Sequence, residues 1–366
     1  MAPLTIAHIS TQRGWHGGEE QARLLCDGLR KRGHQNVIFA KHDGKFAQRM
    51  ETDRFEVHRL AGTGRGLRAI WQMRRAIKSL RPDVVHFHDP HALSGGGLAT
   101  YRLGIPARIM ARRVDFPIRS TWRYRHLVDR VIAVSSAVAE ICHVSGVPRE
   151  KIRVVLDGVD PRRAQSGDRR RGRQSLGIDD STILLLTVAT LTDHKGHTYL
   201  LQAMPNVLKD SGEKRIILAL AGDGELRESL EAEAKRLKVD HAVRFLGFRS
   251  DVPDLLKAAD IFVLPSHLEG LCSTLIDVMI ARTPIVTTSA GGIPDLVGKF
   301  AGESTAAVIV PPRAPESLAE AISTTIRNLS SLHSMIDLAE ARALRSFTDE
   351  QMVEGTLGVY RELIPA

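Results

Sequence analysis

The chain has 366 residues, 43% apolar and 25% charged, which is ordinary globular composition and too long for one ordinary core, so two domains are expected. No apolar run is long enough to cross a bilayer, the opening APLTIAHIS lacks a signal-peptide pattern, and Cys26, Cys142 and Cys272 offer neither metal spacing nor a disulfide framework, which together point to a reducing cytosol. Net charge is +9 but uneven: residues 1–172 carry 32 Lys/Arg against 16 Asp/Glu and residues 173–366 carry 19 against 26, so the first half is suited to an anionic partner.

In chain order, Leu4 to Ile9 reads as a strand, followed by the loop Arg13 to Glu19 and a helix from Glu20 to Arg32 stopped by Gly33. Gly17 and Gly18 open that first turn, where bare backbone amides can approach a phosphate or an acceptor. Val37 to Ala40 is the next strand. The helix Leu67 to Leu80 sets Leu67, Ile70, Trp71, Ile77 and Leu80 towards one side and Arg68, Arg74, Arg75 and Lys78 elsewhere. A core-packing helix with a solvated face is its commoner reading, and a basic helix lying on an anionic membrane is the alternative. The basic-aromatic stretch Ile118 to Arg125 adds to the alternative. Aromatic residues are only 5% of the chain and no nucleic-acid module signature appears, so nucleic acid is not expected as a partner.

PDVVHFHDPH follows, with His86 and His88 on one side of a strand end. His-x-His suits a metal, but no third ligand is spaced to complete the set. No metal is expected, and His88 or Asp89 is read as facing the acceptor. Strands at Ala107 to Met110 and Val131 to Val134 continue the alternation, which implies parallel βαβ units and a doubly wound sheet. Pro161 to Arg173, PRRAQSGDRRRGR, has no apolar period and reads as a linker. A second alternating series begins at Ile183 to Val188 and continues through Ile216 to Leu220, Val243 to Leu246, Ile261 to Leu264 and Ile285 to Thr287. Two α/β domains of this kind present a ligand cleft along their carboxyl strand edges.

In the second series Lys195, in DHKGH, lies just past a strand and is placed to hold a diphosphate. Asp223-Gly224 and the loop Gly247 to Arg249, with Phe248, lie past the next strands and suit main-chain contacts with a base. The stretch Asp260 to Arg282 organises the rest. It reads as a buried strand, a turn at Glu269 and Gly270, then Leu271, Cys272 and a helix whose first residues are Ser273 and Thr274. A helix N-terminus at a carboxyl strand edge is an anion site, and Glu269 and Asp277 flank it as carboxylates for hydroxyl groups.

In this order the pieces resemble the GT-B glycosyltransferases, specifically glycosyltransferase family 4, nearly end to end. The likeness rests on the glycine-rich first loop, PDVVHFHDPH, the run Val131 to Asp160, DHKG, the run from LAGDGEL through FVLPSHLEG to Thr288, and GGIPDLV. The family's Glu-x(7)-Glu motif matches Glu269 and Asp277 in spacing. The resemblance implies two Rossmann-like doubly wound parallel-sheet domains facing across a cleft: 1–163 for the acceptor, with a final helix 347–366 packing back on it, and 174–346 for the nucleotide sugar. It implies a retaining, metal-independent transferase with no cofactor beyond its UDP- or GDP-linked donor, and an anionic glycan or lipid-linked acceptor. Glu269 would hold the donor sugar, Asp277 the ribose, and Lys195 the diphosphate, with amides at Gly17, Gly18, Ser273 and Thr274. Four departures stand out. Asp277 replaces a usual Glu, Thr190 a usual Arg, and Asp157 a usual Asn. Where a catalytic histidine is common the chain reads Ala111 to Pro117, leaving Asp115 or Arg113 as candidates there and Arg112 or Arg113 as sources of the missing charge. Alternatives on the same architecture are a sugar phosphorylase, an epimerase or a non-catalytic scaffold.

Overall fold

The computed structural model describes residues 2–298 and 305–364. The chain forms two compact units, one of residues 1–158 with 349–366 and one of residues 159–348. Each is organised by one all-parallel sheet.

In the first unit the strands are β1 (Thr5–Ser10), β2 (Gln35–Lys41), β3 (Glu56–Leu60), β4 (Val84–Phe87), β5 (Ala107–Arg112), β6 (Arg130–Ala133) and β7 (Ile152–Val154), in sheet order β3-β2-β1-β4-β5-β6-β7. Strands β1 and β4 are buried throughout nearly their whole length, the signature of a sheet covered on both faces. Strand order reverses between β1 and β4, which is where doubly wound sheets bind ligands. The last helix, Asp349–Arg361, seats Met352, Val353, Leu357 and Tyr360 against Leu24, Leu25 and Leu29 of the helix Gly17–Lys31. Gly28 makes that approach feasible: a Cβ there would lie 2.5 Å from Val353 Cγ2.

The second unit has β8 (Ile183–Val188), β9 (Ile216–Ala221), β10 (Val243–Gly247), β11 (Ile261–Leu264), β12 (Ile285–Thr288) and β13 (Val308–Val310), in order β10-β9-β8-β11-β12-β13. Here the order reverses between β8 and β11. Leu185, Leu218, Val263 and Val286 from four neighbouring strands centre the core.

Two sequence expectations are corrected. The stretch read as a linker is helical at Pro161–Gln165 and Arg169–Leu176 and belongs to the second unit, whose limits therefore begin at 159 rather than 174. Asp160 and Asp168 cap these helices, and Gly172 lets the second pack onto the backbone of Asp254. Three of its four arginines are paired, Arg171 with Asp254 and Arg169 and Arg173 with Asp260, so much of this charge run is a docking face. In the helix Leu67–Leu80 the buried stripe is Ala69, Met73 and Ile77, whereas Leu67 and Trp71 are 87% and 61% exposed. The apolar face read from spacing is therefore partly the outer one.

Candidate functional site

The switch point of the second unit brings together the loops that follow β8 and β11. Lys195 ends a short 3₁₀ turn, Asp193–Lys195, and Gly196 follows it at φ 71° against the carbonyl of Pro265, an approach only glycine permits. Lys195 Nζ donates to Glu269 Oε1 at 2.7 Å, and Ser266 Oγ donates to the same oxygen at 2.7 Å. Glu269 is buried, so its charge is held by these two donors rather than by water. The two loops are tied further: the His267 amide donates to the His194 carbonyl at 2.9 Å, and His267 Nε2 meets Asp193 Oδ2 at 3.1 Å. Gly291, at φ 50°, packs on the Glu269 carbonyl, which also accepts from the Gly292 amide.

The helix Ser273–Ala281 opens immediately after this loop. Its first amides lie outside intrahelical bonding and carry the positive end of the helix dipole. Cys272 is buried at the cap with its thiol pushed up to about 12 by burial, which makes it inert packing. Asp277 is buried about one turn into the same helix. Gly224 lies close against the Leu191 backbone, and its amide donates to Asp223 Oδ1 at 2.9 Å. Thr190 is exposed, with its hydroxyl 3.3 Å from that of Thr192. Phe248 is 85% exposed. Arg249 pairs its guanidinium with Asp251 at 2.5 Å and donates to Ser175, which leaves its main chain for the contact expected of this loop.

In the first unit, Gly17 and Gly18 open the helix Gly17–Lys31, and a Cβ on Gly18 would lie 3.8 Å from Arg113 Cδ. Arg113 Nε donates to Asp157 at 3.2 Å. Burial pushes the Asp157 carboxyl up and the Arg113 charge opposes that. Arg112 is a correction: its guanidinium is buried against the Phe116 carbonyl and the Tyr124 hydroxyl, so it cannot supply the missing charge elsewhere. Asp89 is another. It caps the helix Pro90–Thr100, accepting from the His91 and Ala92 amides and from Thr11, which makes it structural and leaves His88 as the residue of that pair open to a ligand role. Asp115 is partly buried just past β5, with Oδ2 unpartnered among the described residues.

Sequence spacing offers no third partner for His86 and His88, and the fold supplies one. His8 on β1 lies in register with His86 on β4, and ring nitrogens of the three histidines lie within 4.8 Å of one another. The ring planes lie 15–26° apart. His8 Nδ1 and His88 Nε2 face each other at 3.0 Å, and His8 Nε2 and His86 Nδ1 face Asn36 and the Tyr360 hydroxyl, so these nitrogens are committed to hydrogen bonds rather than turned to one ion. His8, Asn36 and Ser266 were not singled out in the sequence. The available signal was a histidine and an asparagine in otherwise apolar strands, which only the β2-β1-β4 order turns into a cluster.

Residues 15–163 match the sequence profile of glycosyltransferase family 4 and residues 168–342 that of the glycosyl transferases group 1. The chain belongs to this family of GT-B glycosyltransferases. A D-inositol 3-phosphate glycosyltransferase of Segniliparus rotundus is 28% identical over 77% of this chain and 66% of its own length. The alpha-D-kanosaminyltransferase of Streptomyces kanamyceticus is 24% identical over 80% and 81%. The chain spans about half to two thirds of the length of several such relatives. Among solved structures, Anabaena HepE in complex with UDP and glucose superposes with a TM-score of 0.84 at 20% identity, over 98% of this chain and all of that one. A Rickettsia africae glycosyltransferase gives 0.85 at 17% identity over the full length of both.

Proposed function

We propose that the chain transfers a sugar, with retention and without a metal, from a UDP- or GDP-linked donor to a glycan or lipid-linked acceptor of cell-surface polysaccharide or lipopolysaccharide synthesis. The observation that carries this reading is the Lys195–Glu269 pair beside the opening of the helix Ser273–Ala281 at the β8–β11 switch point. The ammonium and the helix amides suit the charge that builds on a leaving diphosphate, and Glu269 and Asp277 suit the hydroxyls of sugar and ribose. The acceptor hydroxyl attacks the face that the diphosphate leaves, and a diphosphate oxygen takes its proton. The relatives named above include glycosyltransferases for an inositol phosphate and for kanosamine transfer, and HepE was solved with UDP and glucose.

Replacing Lys195 or Glu269 by Ala is expected to lower transfer about a hundredfold or more. Near-native turnover by both folded variants rejects the assignment. The departures at Thr190 and Asp277 motivate a scaffold as second reading. Thermal shift against UDP and GDP separates the two, since a ligand that binds only the native state raises Tm; a folded protein blind to both favours the scaffold.

Among the described residues no helix is long and apolar enough to cross a membrane. The outward Leu67 and Trp71, with Arg75 5.6 Å over the indole ring, support peripheral contact of the first unit with an anionic membrane, on its cytoplasmic face.

A further inference from the structure

The β1–β4 switch point of the first unit holds a hydrogen-bonded chain whose protons can be placed by elimination. Asn36 Nδ2 donates to the His34 carbonyl at 3.1 Å, which turns Oδ1 towards His8 Nε2 at 2.9 Å. An amide oxygen only accepts, so His8 Nε2 carries the hydrogen. Burial lowers the His8 pKa to about 4, so the ring is neutral and its Nδ1 is bare. His88 Nε2, 3.0 Å from that nitrogen, must then be the donor. Burial also holds His88 well below the ordinary histidine range, and the Arg113 charge acts in the same direction. Its second nitrogen, Nδ1, is therefore a lone pair, buried and without a partner among the described residues.

We propose that His88 Nδ1 is an acceptor site for one hydroxyl group of a sugar or polyol, and that His8 and Asn36 are positioning residues that fix the His88 tautomer. A bare ring nitrogen takes a hydroxyl proton donor and repels phosphate or carboxylate oxygen, so the group admitted here is the hydroxyl of an acceptor rather than its anionic part. The groups facing the ring are His8 from β1, His86 on its own strand and Arg113 beyond β5, with the Tyr360 hydroxyl 2.7 Å from His86 Nδ1. Arg113 disfavours an ammonium donor. So weak a base orients the hydroxyl and does not take its proton. Ownership of the hydroxyl by a glycosyl acceptor rests on the transferase reading; the proton placement does not.

The test is histidine-selective ¹⁵N NMR of the full chain at neutral pH, with His8→Gln and His88→Asn for assignment. Both His8 and His88 should carry their proton on Nε2. Methyl α-glucoside should shift His88 Nδ1, and inorganic phosphate should not. Asn36→Asp reverses the chain: the carboxylate favours a charged His8, whose Nδ1–H then points at His88 Nε2 and moves the His88 proton to Nδ1. The glucoside response should fall about tenfold or more in that variant. If it does not fold, Asn36→Leu should leave His88 in a mixture of tautomers. A wild-type His88 protonated on Nδ1, a response to phosphate or to neither probe, or stoichiometric Zn²⁺ binding that shifts all three histidines overturns the proposal. None of these readouts needs glycosyl transfer, so an inactive enzyme and a wrong tautomer are told apart.

Discussion

Glu269 Oε1 accepts from both Lys195 and Ser266, so the carboxylate is aimed by two side chains from different loops. Ser266→Ala removes a hydrogen bond to a charged group, worth about 1.5–3 kcal/mol. The expected outcome is a rise in donor KM of about tenfold or more, read from steady-state kinetics, with folding unchanged. Gly291 imposes a harder limit. Any Cβ there meets the Glu269 backbone at a positive φ, so Gly291→Ala should displace Glu269 and abolish most transfer, measurable in the same assay. Lys195 and Glu269 were legible in the sequence because each falls just past a strongly apolar strand. Asp89 and Arg112 were not, since nothing in a sequence tells a ligand-facing polar group from one engaged by its own helix cap or a nearby carbonyl. His8 and Asn36 stayed hidden because their partners lie on other strands.

At the level of elements, the central strands were legible and the edges were not. β3 and β7 carry partly exposed, mixed patterns with no apolar run to mark them, because an edge strand is covered on fewer sides, and β13 is apolar but only three residues long. The helices at 161–176 lacked a period for a related reason: their contact surface is made of glycines, an arginine and single apolar residues. The returning helix Asp349–Arg361 depends on Gly28. Gly28→Ala should overpack against Val353 and lower stability by about 1–3 kcal/mol, seen as a drop in urea midpoint. Loss of protection in 349–361 by hydrogen exchange would locate the effect.

Across the described residues, five buried histidines weaken the fold towards acid. His8 and His197 are lowered to about 4 by burial, and His34, His86 and His88 also lie below the ordinary value of 6.5. A base with a lowered folded pKa stabilises the fold fully above its unfolded value and loses that contribution as pH falls. Stability should therefore decline between about pH 6.5 and 4, with His8 alone worth about 3 kcal/mol at the lower end. Denaturation midpoints across that range check the sign. The basic first half gives a separate expectation: binding to vesicles of anionic lipid that weakens with salt and with Trp71→Ala, measured by sedimentation.

The claim on which the functional account depends is that a nucleoside diphosphate binds the second unit at the β8–β11 switch point. Hydrogen exchange of the full chain with and without UDP or GDP measures this directly. The account predicts slowed exchange in 190–196 and 269–275 with at least one of the two nucleotides, lost in Lys195→Ala. Protection confined to other segments, or unchanged by the Lys195 substitution, would contradict it.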